Sequence, residues 1–185
     1  MRQLIGMLGC LTVLGFTWAA PAIHAQGAAP APPLKAEALR DWTTMKDRMM
    51  KIADAMPADK FGYKSTPPQR SYAEQITHIV IVDNAILRLL RPTTPAPASN
   101  QAASSKADVL KALSDSFDWG AATIREQTDE SMGHVEQVPD VLSFLGPSTR
   151  SRLVSFMLGH TWDVYGQMAV YLRLNGIVPP ASATP

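Results

Sequence analysis

Three histidines are the residues of this sequence best suited to chemistry. They are His78, His134 and His160; a fourth, His24, lies in an N-terminal segment that we expect to be removed. Imidazole nitrogens bind divalent metals and also donate or accept hydrogen bonds. No His-Glu-x-x-His motif, Ser/His/Asp signature or glycine-rich phosphate loop accompanies them, so nothing local supports a hydrolase or a nucleotide-binding protein.

Two of these histidines have positions that favour a shared site. His78 falls within a strongly apolar run and His160 on an apolar helical stripe, so the two imidazoles can converge inside a helix bundle, where metal sites are often built. For each residue alone, a hydrogen-bonded core histidine is the alternative. His134 lies in a predicted loop, where a solvated side chain is expected. Asp83 and Asp163 stand close to the two histidines in sequence, and structural pairing is the expected role of both.

Prolines divide the chain into the elements that must position these residues. A proline inside a helix removes a backbone donor and clashes with the preceding turn, so long stretches without proline are candidate helices. Four stretches are long enough for several helical turns. They run from Leu34 to Met56, Gln69 to Arg91, Ala98 to Val138 and Ser148 to Val178. The sequence therefore predicts an all-α protein, a bundle of four helices.

Each stretch carries its own helical signal. The first repeats apolar residues every three or four positions: Leu39, Trp42, Met45, Met49, Ile52 and Met56. The second opens with a capping box, Ser71 to Glu74, and is then apolar almost all round, although periodicity alone does not separate a buried helix from a strand here. The third predicted helix spans about 106–127, and the fourth ends at Asn175-Gly176.

The first 25 residues have the build of a secretory signal peptide. Arg2 precedes an apolar run from Leu4 to Ala20, and small residues up to Ala25 offer a cleavage point. We expect a signal peptide at 1–25, a flexible leader at 26–34 and a single domain at 35–182. The mature protein is then exported, either periplasmic or secreted. An uncleaved membrane anchor is the alternative interpretation of the same run.

The mature chain is predicted to be electrically neutral. Loss of Arg2 reduces the 17 basic residues to 16, which equals the number of acidic residues. Nucleic-acid binding uses an excess of positive charge, so no nucleic-acid partner is expected, and no membrane association is expected after cleavage. Cleavage also removes Cys10, the only cysteine, which excludes a disulfide framework and a thiol nucleophile from the mature chain.

Three stretches of sequence occur in an informative order. They are Phe61–Lys64 followed by Arg70–Ile79, then Phe144–Gly146, then His160–Gln167 followed by Tyr171–Pro180. In this order they resemble the DinB/YfiT-like family of metal-binding four-helix bundles. The resemblance implies a divalent metal, zinc or nickel, held by one histidine of the second helix and a His-x-x-x-His pair of the fourth. His78 and His160 match the first two positions, and Val164 occupies the third.

Val164 makes the implied metal site degenerate, because its side chain carries no donor atom. Residues i and i+4 stand on the same helix face, where two imidazoles can bind one ion. Two residues are candidate replacements for the missing ligand. Asp163 is rotated by about 100° from Val164 around the helix, and His134 would have to approach from its loop.

We therefore predict an exported DinB-like protein with a degenerate metal site that acts as a binding or stress-associated protein. The alternative is a divalent-metal-dependent transferase or hydrolase that uses His78, His160 and an unrecognised third ligand, since some family members resemble thiol-dependent transferases. A third hypothesis makes the bundle a structural, dimerising module. The expected partners are a second copy of the chain, as a homodimer, and a small-molecule ligand whose identity the sequence does not reveal.

Overall fold

Four long helices carry most of the residues that the computed structural model describes, which are 33–98 and 105–183. They are α1 (Leu34–Ala55), α2 (Tyr72–Leu87), α3 (Lys106–Arg125) and α5 (Arg150–Leu174). A short helix, α4 (Asp129–Met132), and an antiparallel pair of two-residue strands, β1 (Val135–Glu136) and β2 (Ser148–Thr149), connect α3 to α5. Short 3-10 segments lie at Ala58–Lys60, Arg88–Leu90, Asp140–Leu145 and Pro180–Ser182.

The predicted all-α four-helix bundle is confirmed, and the fourth predicted helix is α5. The predicted signal peptide and most of the predicted leader, 26–34, lie outside the described residues. The first helix begins at Leu34, the last residue of that leader. Among the residues that the structure describes, no helix combines the length and the hydropathy of a membrane-spanning segment.

The helices follow an up-down-down-up course. Both α1 and α2 pack against α3 and α5. Lys106, the first residue of α3, forms an ion pair in the last turn of α1, so these two helices are antiparallel. The Gln127 amide just beyond α3 donates to the Leu90 carbonyl just beyond α2, so α2 and α3 run in parallel. A Gln75–Gln167 bond joins the start of α2 to the C-terminal half of α5, which makes that pair antiparallel.

The apolar patterns of the sequence account for the core. Five of the predicted α1 residues are no more than 2% exposed, and Leu39 is half-buried. The five are Trp42, Met45, Met49, Ile52 and Met56. The Ile/Val-rich second stretch is a helix, and it is apolar nearly all round because α3 and α5 cover two of its sides. Each large side chain buried in this way contributes about 1.5–3 kcal/mol to folding.

A buried ion pair holds the start of α5. The Glu136 side chain of β1 is 8% exposed, and Arg150 donates to it at 2.6 Å while Arg91 donates from another side at 2.9 Å. Burial acts to raise the pKa of Glu136, but the hydrogen bonds and charges of the two arginines outweigh it and lower that pKa below its ordinary value.

The C-terminal end of α5 is followed by Gly176, which has a positive φ of 73°, and the helix stops there as the sequence predicted.

One carboxyl group is buried in α2 without a hydrogen bond. Asp83 is 1% exposed, and neither of its oxygens has a hydrogen-bond partner among the described residues. Burial raises the pKa of Asp83 well above its ordinary 3.8, and the hydroxyl of Thr161 on α5 lies close enough to oppose that rise in part. Thr161 is therefore the candidate for the structural partner expected from the sequence, although its geometry falls short of a hydrogen bond, and burial favours the uncharged acid.

Gly120 provides a test of how tightly α1 and α3 are packed. A β-carbon at this position of α3 would overlap three atoms of the indole ring of Trp42, which is itself held by a 2.8 Å bond from Nε1 to the Phe117 carbonyl. We expect Gly120→Ala to lower the free energy of unfolding by about 1–3 kcal/mol, as overpacked cores do. Gly166→Ala is the control, because its β-carbon would meet nothing within 4 Å; urea unfolding of both variants measures the difference, and equal stabilities would contradict it.

Asp83 provides a test of pH dependence. Because its pKa is raised in the folded state, the folded chain holds the proton more tightly than the unfolded chain, and stability falls as pH rises above 3.8. We expect the free energy of unfolding of the wild type, relative to Asp83→Asn, to fall as the pH rises above the ordinary pKa of 3.8. Asp59→Asn, at an exposed site, should not change the pH dependence. Parallel curves for the wild type and Asp83→Asn would show that Asp83 titrates normally.

Candidate functional site

The structure brings His78 and His160 together. His78 lies on α2 and His160 on α5, and their Nε2 atoms are 3.1 Å apart. The ring planes cross at 66° with centroids 5.0 Å apart, and both side chains are partly buried. Two of the residues predicted from the sequence therefore form one structural unit, the histidine pair, at the interface of α2 and α5.

Both imidazoles of the histidine pair favour the uncharged form. Burial lowers the pKa of His78, and the charges of Arg70 and His160 lower it further. Burial also lowers the pKa of His160; Asp163 opposes this shift and Arg70 adds to it. In a neutral pair, one Nε2–H donates to the lone pair of the other Nε2, so one ring is the hydrogen-bond donor and the other is the acceptor.

Val164 leaves the pair without the third ligand that the resemblance implies. It lies one turn after His160 on α5, and its side chain is buried in the core, 2% exposed. Among the described residues, no group of three or more His, Cys, Asp or Glu side chains is arranged to hold a metal ion. Of the three implied ligand positions, two therefore carry neutral imidazoles with donor nitrogens, and the third carries valine, which has no donor atom.

The two candidate replacements do not join the histidine pair. Asp163 is exposed, and its carboxylate accepts a 2.9 Å hydrogen bond from Gln167. His134 is exposed beside the start of α5, where its carbonyl accepts from the Arg150 amide. Ten residues of helix separate that point from His160, which is about 15 Å at the usual rise per residue.

The distance between the two Nε2 atoms is compatible with a bound metal, but the donor atoms present are not. Two imidazole nitrogens on one tetrahedral zinc, each about 2.0–2.1 Å from the ion, lie roughly 3.3 Å apart, and an N–H···N hydrogen bond has a similar length. Metal-binding histidines normally donate their other ring N–H to a carboxylate or carbonyl. The Nδ1 of His160 is buried with no such partner among the described residues. The residues present therefore do not fit the three-histidine site.

A cavity of about 580 Å³ opens beside His78. Its lining includes Lys64, Arg70, Glu74 and Ile81. The sequence analysis gave Arg70 no role, although this residue directly precedes the capping box of α2 and its charge acts on both imidazoles. No local pattern marks such a residue, because its proximity to His160 depends on how α2 and α5 pack.

Aromatic rings pack beside His160. Phe156 stacks on its imidazole at a centroid distance of 6.3 Å, and Phe144 packs on Phe156 at 5.7 Å. Phe144 comes from the 3-10 turn before β2 and is 70% exposed. The histidine pair thus contacts an aromatic cluster at His160 and a cavity with charged groups at His78.

A larger cavity, of about 700 Å³, lies between α2 and α3 and contains no histidine. Its polar side chains already have partners. Asn84 accepts from Ser116, Lys111 pairs with Asp115, and Arg88 lies over an indole ring. We therefore place the candidate site at the histidine pair, where polar groups remain available, and not in the larger cavity.

Comparisons with known proteins give the family of the chain. A family model described as the DinB superfamily matches residues 41–168. A solved DinB-like protein from Bacillus cereus has a TM-score of 0.68 and 18% identity, with 78% of this chain and 95% of that chain covered. The DinB-like protein YjoA from Bacillus subtilis has a TM-score of 0.59 and 15% identity, with coverages of 76% and 92%.

At these identities the two structures show the shared fold alone. No match was found among curated proteins. The family model, in contrast, spans well over half of the sequence and includes both members of the histidine pair. The resemblance seen in the sequence is thus confirmed, and the chain belongs to the DinB superfamily.

Proposed function

We propose that this DinB-superfamily protein is an exported protein with a degenerate metal site that acts as a binding or stress-associated protein rather than as an established enzyme. The observation that carries the proposal is the histidine pair itself: two imidazoles 3.1 Å apart with buried Val164 in place of a third donor. Export rests on the signal-peptide pattern of residues 1–25.

The surroundings of the pair support binding over catalysis. Metal-activated hydrolysis and transfer need an ion with an open coordination position and a firmly held ligand set. Here the pair can satisfy itself by one hydrogen bond, while the adjacent cavity leaves room for a small molecule beside His78. The function is then recognition of a ligand by the cavity wall.

The alternative is a divalent-metal-dependent transferase or hydrolase. The specific observation in its favour is the distance between the two Nε2 atoms, which matches two positions of a tetrahedral shell. The third ligand would then come from a bound thiol, from water or from a second copy of the chain.

A homodimer stays a prediction, and light scattering of the purified protein measures the oligomeric state.

Metal content separates the two functions. We expect protein purified without a histidine tag, and then loaded with zinc or nickel and desalted, to retain no stoichiometric metal by inductively coupled plasma mass spectrometry. The physical reason is that two neutral nitrogens without a third donor hold an ion weakly. Near-stoichiometric metal in the wild type that is lost in both His78→Ala and His160→Ala would instead establish the alternative function. His134→Ala is the control, because that histidine lies away from the pair.

Restoring a ligand at position 164 tests where the site lies. We expect Val164→His to raise zinc or nickel affinity by about tenfold or more, because it would complete a three-histidine set with an open position. Val170→His adds a histidine at an exposed position of the same helix and should give no such gain. Circular dichroism checks that each variant is folded. An equal rise in the two variants would contradict our placement of the site.

A further inference from the structure

Arg70 is the cation of the cavity beside His78 that has no ion-pair partner among the described residues. Lys64 in the same cavity pairs with Glu74 at 3.3 Å, whereas Arg70 forms no ion pair among the described residues. Its side chain is exposed. A guanidinium keeps its charge at any physiological pH and offers a planar fork of N–H donors.

The backbone around Arg70 is held firmly in place. Its carbonyl accepts a 2.8 Å hydrogen bond from the Tyr171 hydroxyl of α5. The next residue, Ser71, is the N-cap of α2 and forms both bonds of the capping box with Glu74. The guanidinium is thus carried on a rigid corner between α2 and α5, and its charge reaches both imidazoles of the histidine pair.

The rest of the cavity provides an apolar surface next to this charge. Ile81 is 54% exposed, and Ala73 and Pro68 also line the space. A molecule that fills a cavity of about 580 Å³ would contact Arg70 with a charged end and Ile81 with an apolar body. Thr77 and His78 also line the cavity and carry polar groups, although the Thr77 hydroxyl already donates to the Ala73 carbonyl.

We infer that this cavity binds a small organic carboxylate, with the carboxylate on the guanidinium of Arg70 and the apolar part of the molecule against Ile81. One free guanidinium matches one carboxylate through two parallel hydrogen bonds. A phosphate, with its second charge, would draw on a second free cation, and Lys64 is already paired with Glu74. This inference rests on the proposed function, because it names the ligand class of the same site.

Benzoate is a suitable probe, since it joins a carboxylate to an apolar ring. We expect an NMR titration of the purified protein, treated with chelator, to show saturable binding of benzoate at the cavity, and much weaker binding of the neutral analogue benzyl alcohol. Arg70→Gln should weaken benzoate binding about tenfold or more, as loss of charge-assisted hydrogen bonds does. Arg70→Lys should recover part of the affinity. Arg125→Gln, at an exposed arginine at the end of α3, should leave it unchanged.

A second variant moves the affinity in the opposite direction. Glu74→Gln keeps a side-chain acceptor for the capping box but releases Lys64, so benzoate should bind more tightly.

The inference is overturned if benzoate fails to bind, if Arg70→Gln binds it like the wild type, or if inorganic phosphate binds more tightly than benzoate. The metal content of the same samples is measured separately, so a failed ligand class is distinguished from a failed proposed function.

Discussion

The register between α2 and α5 is set by hydrogen bonds that join the two helices at successive levels. The Tyr171 hydroxyl donates to the Arg70 carbonyl, the Gln75 amide donates to Gln167, and the two Nε2 atoms of the histidine pair meet at 3.1 Å. The cavity beside His78 and the position of Arg70 next to the histidine pair depend on this register. A shift of either helix by one residue would turn the side chains by about 100° and separate the imidazoles.

The same interface carries a cost that packing must offset. Asp83 lies in α2 with no hydrogen bond to its carboxyl oxygens among the described residues, and the Thr161 hydroxyl of α5 is also unsatisfied there. Leaving a buried polar group without a partner costs about 1–3 kcal/mol. The apolar surface that α2 buries against α3 and α5 offsets this penalty, which explains how the helix tolerates an acid among isoleucines and valines.

The family relationship defines the scaffold, and the side chains at the site define what it can do. The DinB superfamily match covers both histidines, and Val164, at the position where the resemblance implies a third ligand, has an aliphatic side chain that is buried in the core. Burial of this side chain contributes to packing. The ligand class that we propose therefore depends on groups beside the pair, above all Arg70 and the cavity wall.

The sequence alone determined the four helices, the capping box at Ser71 and the stop at Gly176, because proline, capping residues and glycine act on their immediate neighbours. It also selected the histidine pair, through helical periodicity and a family resemblance. The tertiary structure alone decided that the two Nε2 atoms meet, that Arg70 and His78 line one cavity and that Arg150 pairs with buried Glu136. The physical reason is separation along the chain: the two histidines stand 82 positions apart, and only the packing of antiparallel helices gives such residues a common place.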